Sequence, residues 1–284
     1  MKFRTEVSIE KPNWQIEPTD RLLFVGSCFA TSMGQRFADN QFCTVVNPYG
    51  TMYNPVSILH TLQRLFATPN QDYVPDVCFL TLGTNHVYRL KETGEIVDNC
   101  EKRPQRLFQE EQLTVAQCTD ALHECVSLLR NMNPDIRIVL TVSPIRYAKY
   151  GFHGSQLSKA TLLLAVEETK SQPSNLKSQP SNLKSQPSTP PYYFPAYEIV
   201  NDELRDYRFY APDMLHPSEQ AADYIWLRLQ ESLLSKASRQ FLDEWRPIQQ
   251  ALNHKPFDPD SETYKQFREQ ANQQLALFRA KYGL

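Results

Sequence analysis

No apolar stretch in this 284-residue chain approaches the ~18 residues needed to cross a bilayer as a helix. The first ten residues, Met1 to Glu10, mix charged and apolar side chains and lack the core of a secretory signal. The expectation is therefore a cytoplasmic protein without a membrane partner. Charge of one sign is also lacking: a formal net charge of −2 gives no basic face for nucleic acid or anionic lipid. No CxxC pair and no His/Cys group with zinc spacing occurs, so a metal is not expected. GxGxxG and GxxxxGK[ST] are missing too, which leaves nucleotide binding without support.

Cysteine is present but reads as thiol. The six positions are 28, 43, 78, 100, 118 and 125, in a chain large enough to build its own core. Cys43 and Cys78 sit at or within strand-like runs. Cys118 and Cys125 lie seven apart on the apolar face of a predicted helix, where small hydrophobic thiols belong.

The apolar pattern alternates between strand-like runs and helical stripes, the signature of an α/β domain around a parallel sheet. Strand-like runs occur at 21–25, 43–46, 77–82 and 136–142, with a further one expected near 192–200. Between them the spacing predicts helices after residue 27, after Asn54-Pro55, over 114–132 and near 156–169. Asn54 suits an N-cap and Pro55 the first helical position. A helix over 218–236 follows, with Ala222, Ile225, Trp226, Leu229 and Leu233 on one side. The reading is one domain over 1–236 and a helical extension over 237–284. The extension's stripe of Tyr264, Phe267, Ala271, Leu275 and Phe278 could pack on the domain or on a second copy, as a homo-oligomer.

One segment does not fit an α/β unit. Lys170-Ser171-Gln172-Pro173-Ser174-Asn175-Leu176 recurs at 177–183 and begins again at Lys184. A single apolar residue per seven makes no coiled-coil seam, and the proline in each copy breaks a helix. The 170–189 segment is expected to be a passive, disordered insertion.

The residues able to do chemistry fall at the ends of the predicted strands. Ser27, in Gly26-Ser27-Cys28-Phe29-Ala30, joins the first strand to the first helix. A hydroxyl there faces the sheet edge where open α/β sheets bind ligands, beside a helix N-terminus that favours an oxyanion. It could equally be a plain N-cap. Gly50 follows the second strand, Asn85 the third, and Asp213 and His216 lie beyond the fifth. The N–H groups of Ser27 and Gly50 with the Asn85 amide could hold a tetrahedral oxyanion. An Asp three residues before a His can fix the imidazole tautomer and leave Nε2 for a serine proton. Taken singly, Asn85 reads as a turn residue and Asp213 as a cap. Cys28 is an alternative nucleophile, since helix N-termini favour thiolates. His86 and Arg146 are candidate pocket residues, and the aromatic segment 192–197 with Tyr207, Phe209 and Tyr210 could stack on a sugar.

The string Gly26-Ser27-Cys28-Phe29-Ala30 resembles the motif of the GSCFA family, a branch of the SGNH (GDSL-like) hydrolases. The likeness extends over roughly 20–235, through Asn47-Pro48-Tyr49-Gly50-Thr51, Thr141-Val142-Ser143-Pro144 and Asp213-Met214-Leu215-His216-Pro217. It implies a three-layer α/β/α sandwich with a central parallel sheet. It also implies an esterase needing no cofactor, with Ser27 as nucleophile, His216 as base and Asp213 orienting it. Ser27, Gly50 and Asn85 then form the oxyanion hole. The substrate class is a carbohydrate or small-molecule ester. An acyltransferase using the same site, or a catalytically silent binding protein, are the alternatives.

Overall fold

The computed structural model describes residues 4–67, 73–98, 100, 103–171 and 189–284. The repeats at 172–188 lie outside the described residues. The centre is a five-stranded parallel sheet. Its strands are β1 (Arg21–Gly26), β2 (Cys43–Val46), β3 (Val77–Leu82), β7 (Arg137–Val142) and β8 (Tyr192–Tyr193), in the order β2-β1-β3-β7-β8. Between β3 and β7 the chain makes a separate antiparallel sheet from β4 (His86–Leu90), β5 (Ile96–Val97) and β6 (Phe108–Gln112).

Every residue of β3 is buried, and β1 is buried beyond its first residue, as expected of central parallel strands covered on both faces. The two-residue alternation of strands sends their side chains to two cores. Leu22, Phe24, Val77, Phe79 and Val139 face one side, against helices α1 (Cys28–Asp39) and α6 (Glu219–Leu233). Phe24 stacks on Phe79 there, with centroids 4.3 Å apart. Leu23, Val25, Cys78, Leu80, Ile138 and Leu140 face the other side. That side is covered by α2 (Pro55–Ala67), α3 (Val115–Met132) and α4 (Gly151–Ser171). The result is the expected helix–sheet–helix sandwich.

Helices α7 (Lys236–Asn253) and α8 (Glu262–Tyr282) extend the first core outward. Phe241 packs edge-on to Phe42 at 5.1 Å, and Phe278 lies 4.8 Å from Phe241. Phe278 of the C-terminal stripe thus packs on α7, which packs on the domain, while Phe267 stays exposed. One local expectation differs. Only Tyr192–Tyr193 pair as a strand; Ala196–Glu198 then turn as α5, and Ile199–Leu204 continue as a π-helical turn. Their apolar residues face the core, Ala196, Ile199 and Val200 among them, so a buried run that could be strand or helix is resolved as helix. Among the cysteines, Cys78, Cys118 and Cys125 are buried whereas Cys43 is exposed. No helix among the described residues is long and apolar enough to cross a membrane.

The order places a reversal of strand succession between β1 and β3, the point where a crevice opens at the C-terminal edge of such sheets. Gly26 ends β1 there at φ +142°, and a Cβ on it would collide with the Thr81 carbonyl of β3. Gly26→Ala is expected to destabilise the fold by at least about 2 kcal/mol through strain and overpacking together. Urea denaturation measures this; an unchanged midpoint would show that the close approach is not required.

Candidate active site

Ser27 is the N-cap of α1 and is fully buried. Its Oγ accepts from the Phe29 N–H (3.3 Å) and shares a hydrogen bond with Thr81 Oγ1 (3.0 Å). The capping role open to it from sequence is therefore filled, and capping alone does not exclude nucleophilic chemistry. The Ser27 N–H donates to the Thr81 carbonyl (3.0 Å). Beside it, the Cys28 thiol is pushed up by burial, against the weaker pull of Lys159, which keeps it protonated.

The segment after β2 crosses the edge of the sheet. Asn47, at φ +41°, receives the Gly26 N–H on its Oδ1 (2.9 Å), and the Met52 N–H donates to the Gly26 carbonyl (2.9 Å). Gly50 sits in this crossing at φ +94°, and its N–H donates to the Asn47 carbonyl (2.9 Å). Asn85, just beyond β3, is buried and gives Nδ2–H to the Leu113 carbonyl (2.7 Å). The Ser27 and Gly50 amides are thus engaged within the protein, as is one Asn85 proton. The second Nδ2–H of Asn85 makes no hydrogen bond among the described residues.

Asp213 and His216 are brought together as the spacing anticipates. His216 Nδ1 lies 2.6 Å from Asp213 Oδ2, and the N–H groups of Leu215 and His216 donate to Oδ1 (2.9 and 3.0 Å). These two amides, with the imidazole, hold the half-exposed Asp213 carboxyl down at about 2, so it is an anion at any ordinary pH. The imidazole is thereby oriented, and among the described residues its Nε2 makes no hydrogen bond. The loop is braced from β7's exit. The Arg146 N–H donates to the Leu215 carbonyl (3.0 Å) and Nη1 to the Met214 carbonyl (3.1 Å), and the guanidinium lies over the Phe152 ring at 4.1 Å. Met214 itself takes φ +59° at the turn. Arg146 also borders a cavity of about 240 Å³ with Gln156, Asn201, Tyr207 and Tyr210. It is therefore a brace as well as a wall. No hydrogen bond joins Ser27 to His216 among the described residues.

His86 is buried with its ring stacked on Tyr150 at 3.5 Å. Burial lowers its pKa despite Glu110, whose carboxylate lies 3.6 Å from Nδ1, so the ring is neutral. It belongs to the wall of the small antiparallel sheet.

Sequence reasoning missed Lys159. It is fully buried on α4 and has no carboxylate partner among the described residues: Nζ donates to the Ser143 carbonyl (2.8 Å) and to the Gly83 carbonyl. The neighbouring Ser158 Oγ receives the Asn85 N–H (3.0 Å) and bonds Thr84 Oγ1 (3.0 Å). Together the two residues tie the exits of β3 and β7 to one helix. A signal existed: Lys159 falls on the buried stripe with Ser155, Leu162 and Val166. Missed also was Tyr147. Its hydroxyl is buried without a protein partner, a condition that costs about 1–3 kcal/mol.

Burial lowers the Lys159 pKa to about 7. A lysine in the unfolded chain titrates near ~10.4, so between these values the unfolded state binds the extra proton. The stability contributed at this position is accordingly lowest below about 7 and rises with pH across that window. Lys159→Met removes the titration while leaving a pH-independent loss of two hydrogen bonds. The unfolding free energy of wild type minus that of Lys159→Met should rise from about pH 6 to about pH 9. A flat difference in urea titrations would contradict a depressed lysine.

The family model described as "GSCFA family" matches residues 21–75 and 70–229, and that described as "GSCFA domain protein, C-terminal domain" matches 245–283. No curated protein matches the chain. Among solved structures, a provisionally described platelet activating factor from Streptococcus pneumonia is 16% identical over 76% of this chain and 84% of its own, with a TM-score of 0.46. A carbohydrate esterase family 3 protein from Talaromyces cellulolyticus is 11% identical over 79% and 99%, at 0.42. A provisionally assigned GDSL-like lipase from Parabacteroides merdae is 11% identical over 77% and 98%, at 0.44. With the motif turn, the sheet order and the match over most of its length in place, the chain belongs to the GSCFA family.

Proposed function

We propose that this protein hydrolyses an ester of a carbohydrate or other small molecule through an acyl-enzyme at Ser27. His216 is the general base and Asp213 orients it. The observation that carries this reading is the Asp213–His216 pair. A carboxylate pinned by two backbone amides bonds Nδ1 and leaves Nε2 to receive a serine proton. The supporting placement is topological. Ser27 follows β1 and Asn85 follows β3, and the His216 loop is tied through Arg146 to the exit of β7. Salt bridges from Arg36 of α1 to Glu219 (2.8 Å) and Asp223 (2.7 Å) draw the helix after His216 onto the helix after Ser27. The raised pKa of Cys28 weighs against a thiolate nucleophile.

Attack requires Ser27 Oγ to exchange Thr81 for His216. The second reading, a catalytically silent binding protein, is favoured by the complete burial of Ser27.

The two readings part on p-nitrophenyl acetate and acetylated sugars. Ser27→Ala and His216→Ala should lose at least about 10³ in turnover. Asp213→Asn should lose roughly 10²–10⁴, since an amide can select the wrong tautomer. Loss of the cap in Ser27→Ala should cost about 1 kcal/mol of stability and no more. Retained turnover in Ser27→Ala, with loss in Cys28→Ala, would sink the serine mechanism. Absence of turnover in the wild type across the panel would favour the binding protein.

A further inference from the structure

The donors that sequence assigns to the oxyanion are engaged: Ser27 N–H with Thr81, Gly50 N–H with Asn47, and one Asn85 Nδ2 proton with Leu113. One strong donor beside the nucleophile is not. The Tyr147 hydroxyl is buried, has no partner among the described residues, and lies against Gly83. A Cβ built on Gly83 would collide with that hydroxyl and stand 3.4 Å from Ser27 Cβ, so phenol and nucleophile flank the same small space. Gly83 admits the phenol hydroxyl to this position by having no side chain.

We propose that Tyr147 is a catalytic residue that donates its phenolic hydrogen bond to the oxyanion formed at Ser27, a role that rests on the serine-ester reading above. Three features make it a prepared donor. The ring is fixed on several sides: edge-on to Tyr53 (6.4 Å), beside Tyr150 (6.2 Å), and with its backbone N–H donating to Ser155 Oγ (3.1 Å). Lys159 Nζ sits over the ring at 5.1 Å, and in its protonated form draws electron density from the phenol and strengthens the O–H as a donor. Burial raises the Tyr147 pKa, so the proton stays on oxygen. A fixed donor in a water-poor site needs little reorganisation when charge appears, the condition under which such donors count most.

The step balances without any co-reactant. Ser27 Oγ bonds the ester carbonyl carbon while its proton passes to His216 Nε2, and the carbonyl π pair moves to oxygen. Tyr147 hydrogen-bonds that oxyanion and keeps its own proton. The pair then returns to re-form the carbonyl, the ester C–O bond breaks, and the leaving alkoxide takes the proton from His216. Water repeats the sequence to release the acid.

The test compares Tyr147→Phe with wild type and Ser27→Ala on p-nitrophenyl acetate. Tyr147→Phe removes a hydroxyl that has no protein partner, so its thermal midpoint should be equal or higher. Its kcat/KM should nevertheless fall by about 10²–10³, carried in kcat with KM little changed. A trifluoromethyl ketone that forms a tetrahedral adduct should lose affinity by a similar factor, while ground-state ester affinity stays. A folded Tyr147→Phe that keeps kcat/KM and adduct affinity within threefold, beside a dead Ser27→Ala, would overturn the Tyr147 role and leave the serine reading standing. Full turnover in Ser27→Ala would overturn the serine reading itself, and the Tyr147 role with it.

Discussion

Gly26 and Thr81 meet with no side chain between them, and the geometry of the site descends from that approach. Because β1 can end flush against β3, the Ser27 N–H reaches the Thr81 carbonyl and Ser27 Oγ reaches Thr81 Oγ1. The turn is thereby fixed in position before α1 begins, and the helix N-terminus opens toward the crevice at the reversal of strand order. A second glycine, Gly83, at β3's exit admits the Tyr147 hydroxyl beside Ser27. Both positions need the absence of a side chain, for different neighbours.

The crevice is held shut at its base by α4. Ser158 and Lys159 satisfy or occupy the backbone of 83–85 and 143, so one helix positions the exits of both β3 and β7. A fully buried ammonium bound only by carbonyls is an unfavourable way to join two loops if joining were its whole purpose, since desolvation penalises the charge. Its Nζ also lies 5.1 Å from the Tyr147 ring centroid, so the protonated form bears on the phenol. The Asp213–His216 loop is built differently. It is half-exposed, carries a left-handed Met214, and depends on Arg146 for its attachment to β7's exit. The buried Ser27 turn and the half-exposed Asp213–His216 loop are thus held in place by different means.

Much of this was legible in the sequence, for identifiable reasons. Central parallel strands read as unbroken apolar runs, so β1, β3 and β7 emerged with their ends nearly right. Asp213 and His216 were legible because their interaction is local, three residues apart. The antiparallel sheet over 86–112 was not, since β6, Phe-Gln-Glu-Glu-Gln, is largely exposed and carries no apolar alternation. The aromatic run after Tyr192 reads as a long strand because β-favouring residues dominate it, while its buried face follows a helical spacing. Lys159 escaped because a lysine on a helix is by default a solvated charge, and Tyr147 because nothing local marks a tyrosine whose partner space is made by a distant glycine. The assigned oxyanion donors were plausible by position, yet the Gly50 amide finds a carbonyl within its own loop and the Ser27 amide one on the neighbouring strand. Contacts across the sequence decide which donors remain available.

The central claim is that Ser27, buried and capping a helix, becomes covalently acylated. The most direct measurement is peptide mapping by mass spectrometry after reaction of the intact protein with a fluorophosphonate. The account predicts a single phosphonyl adduct on Ser27, lost when His216 is replaced by alanine. An adduct on Cys28, or none on a folded protein, would contradict it.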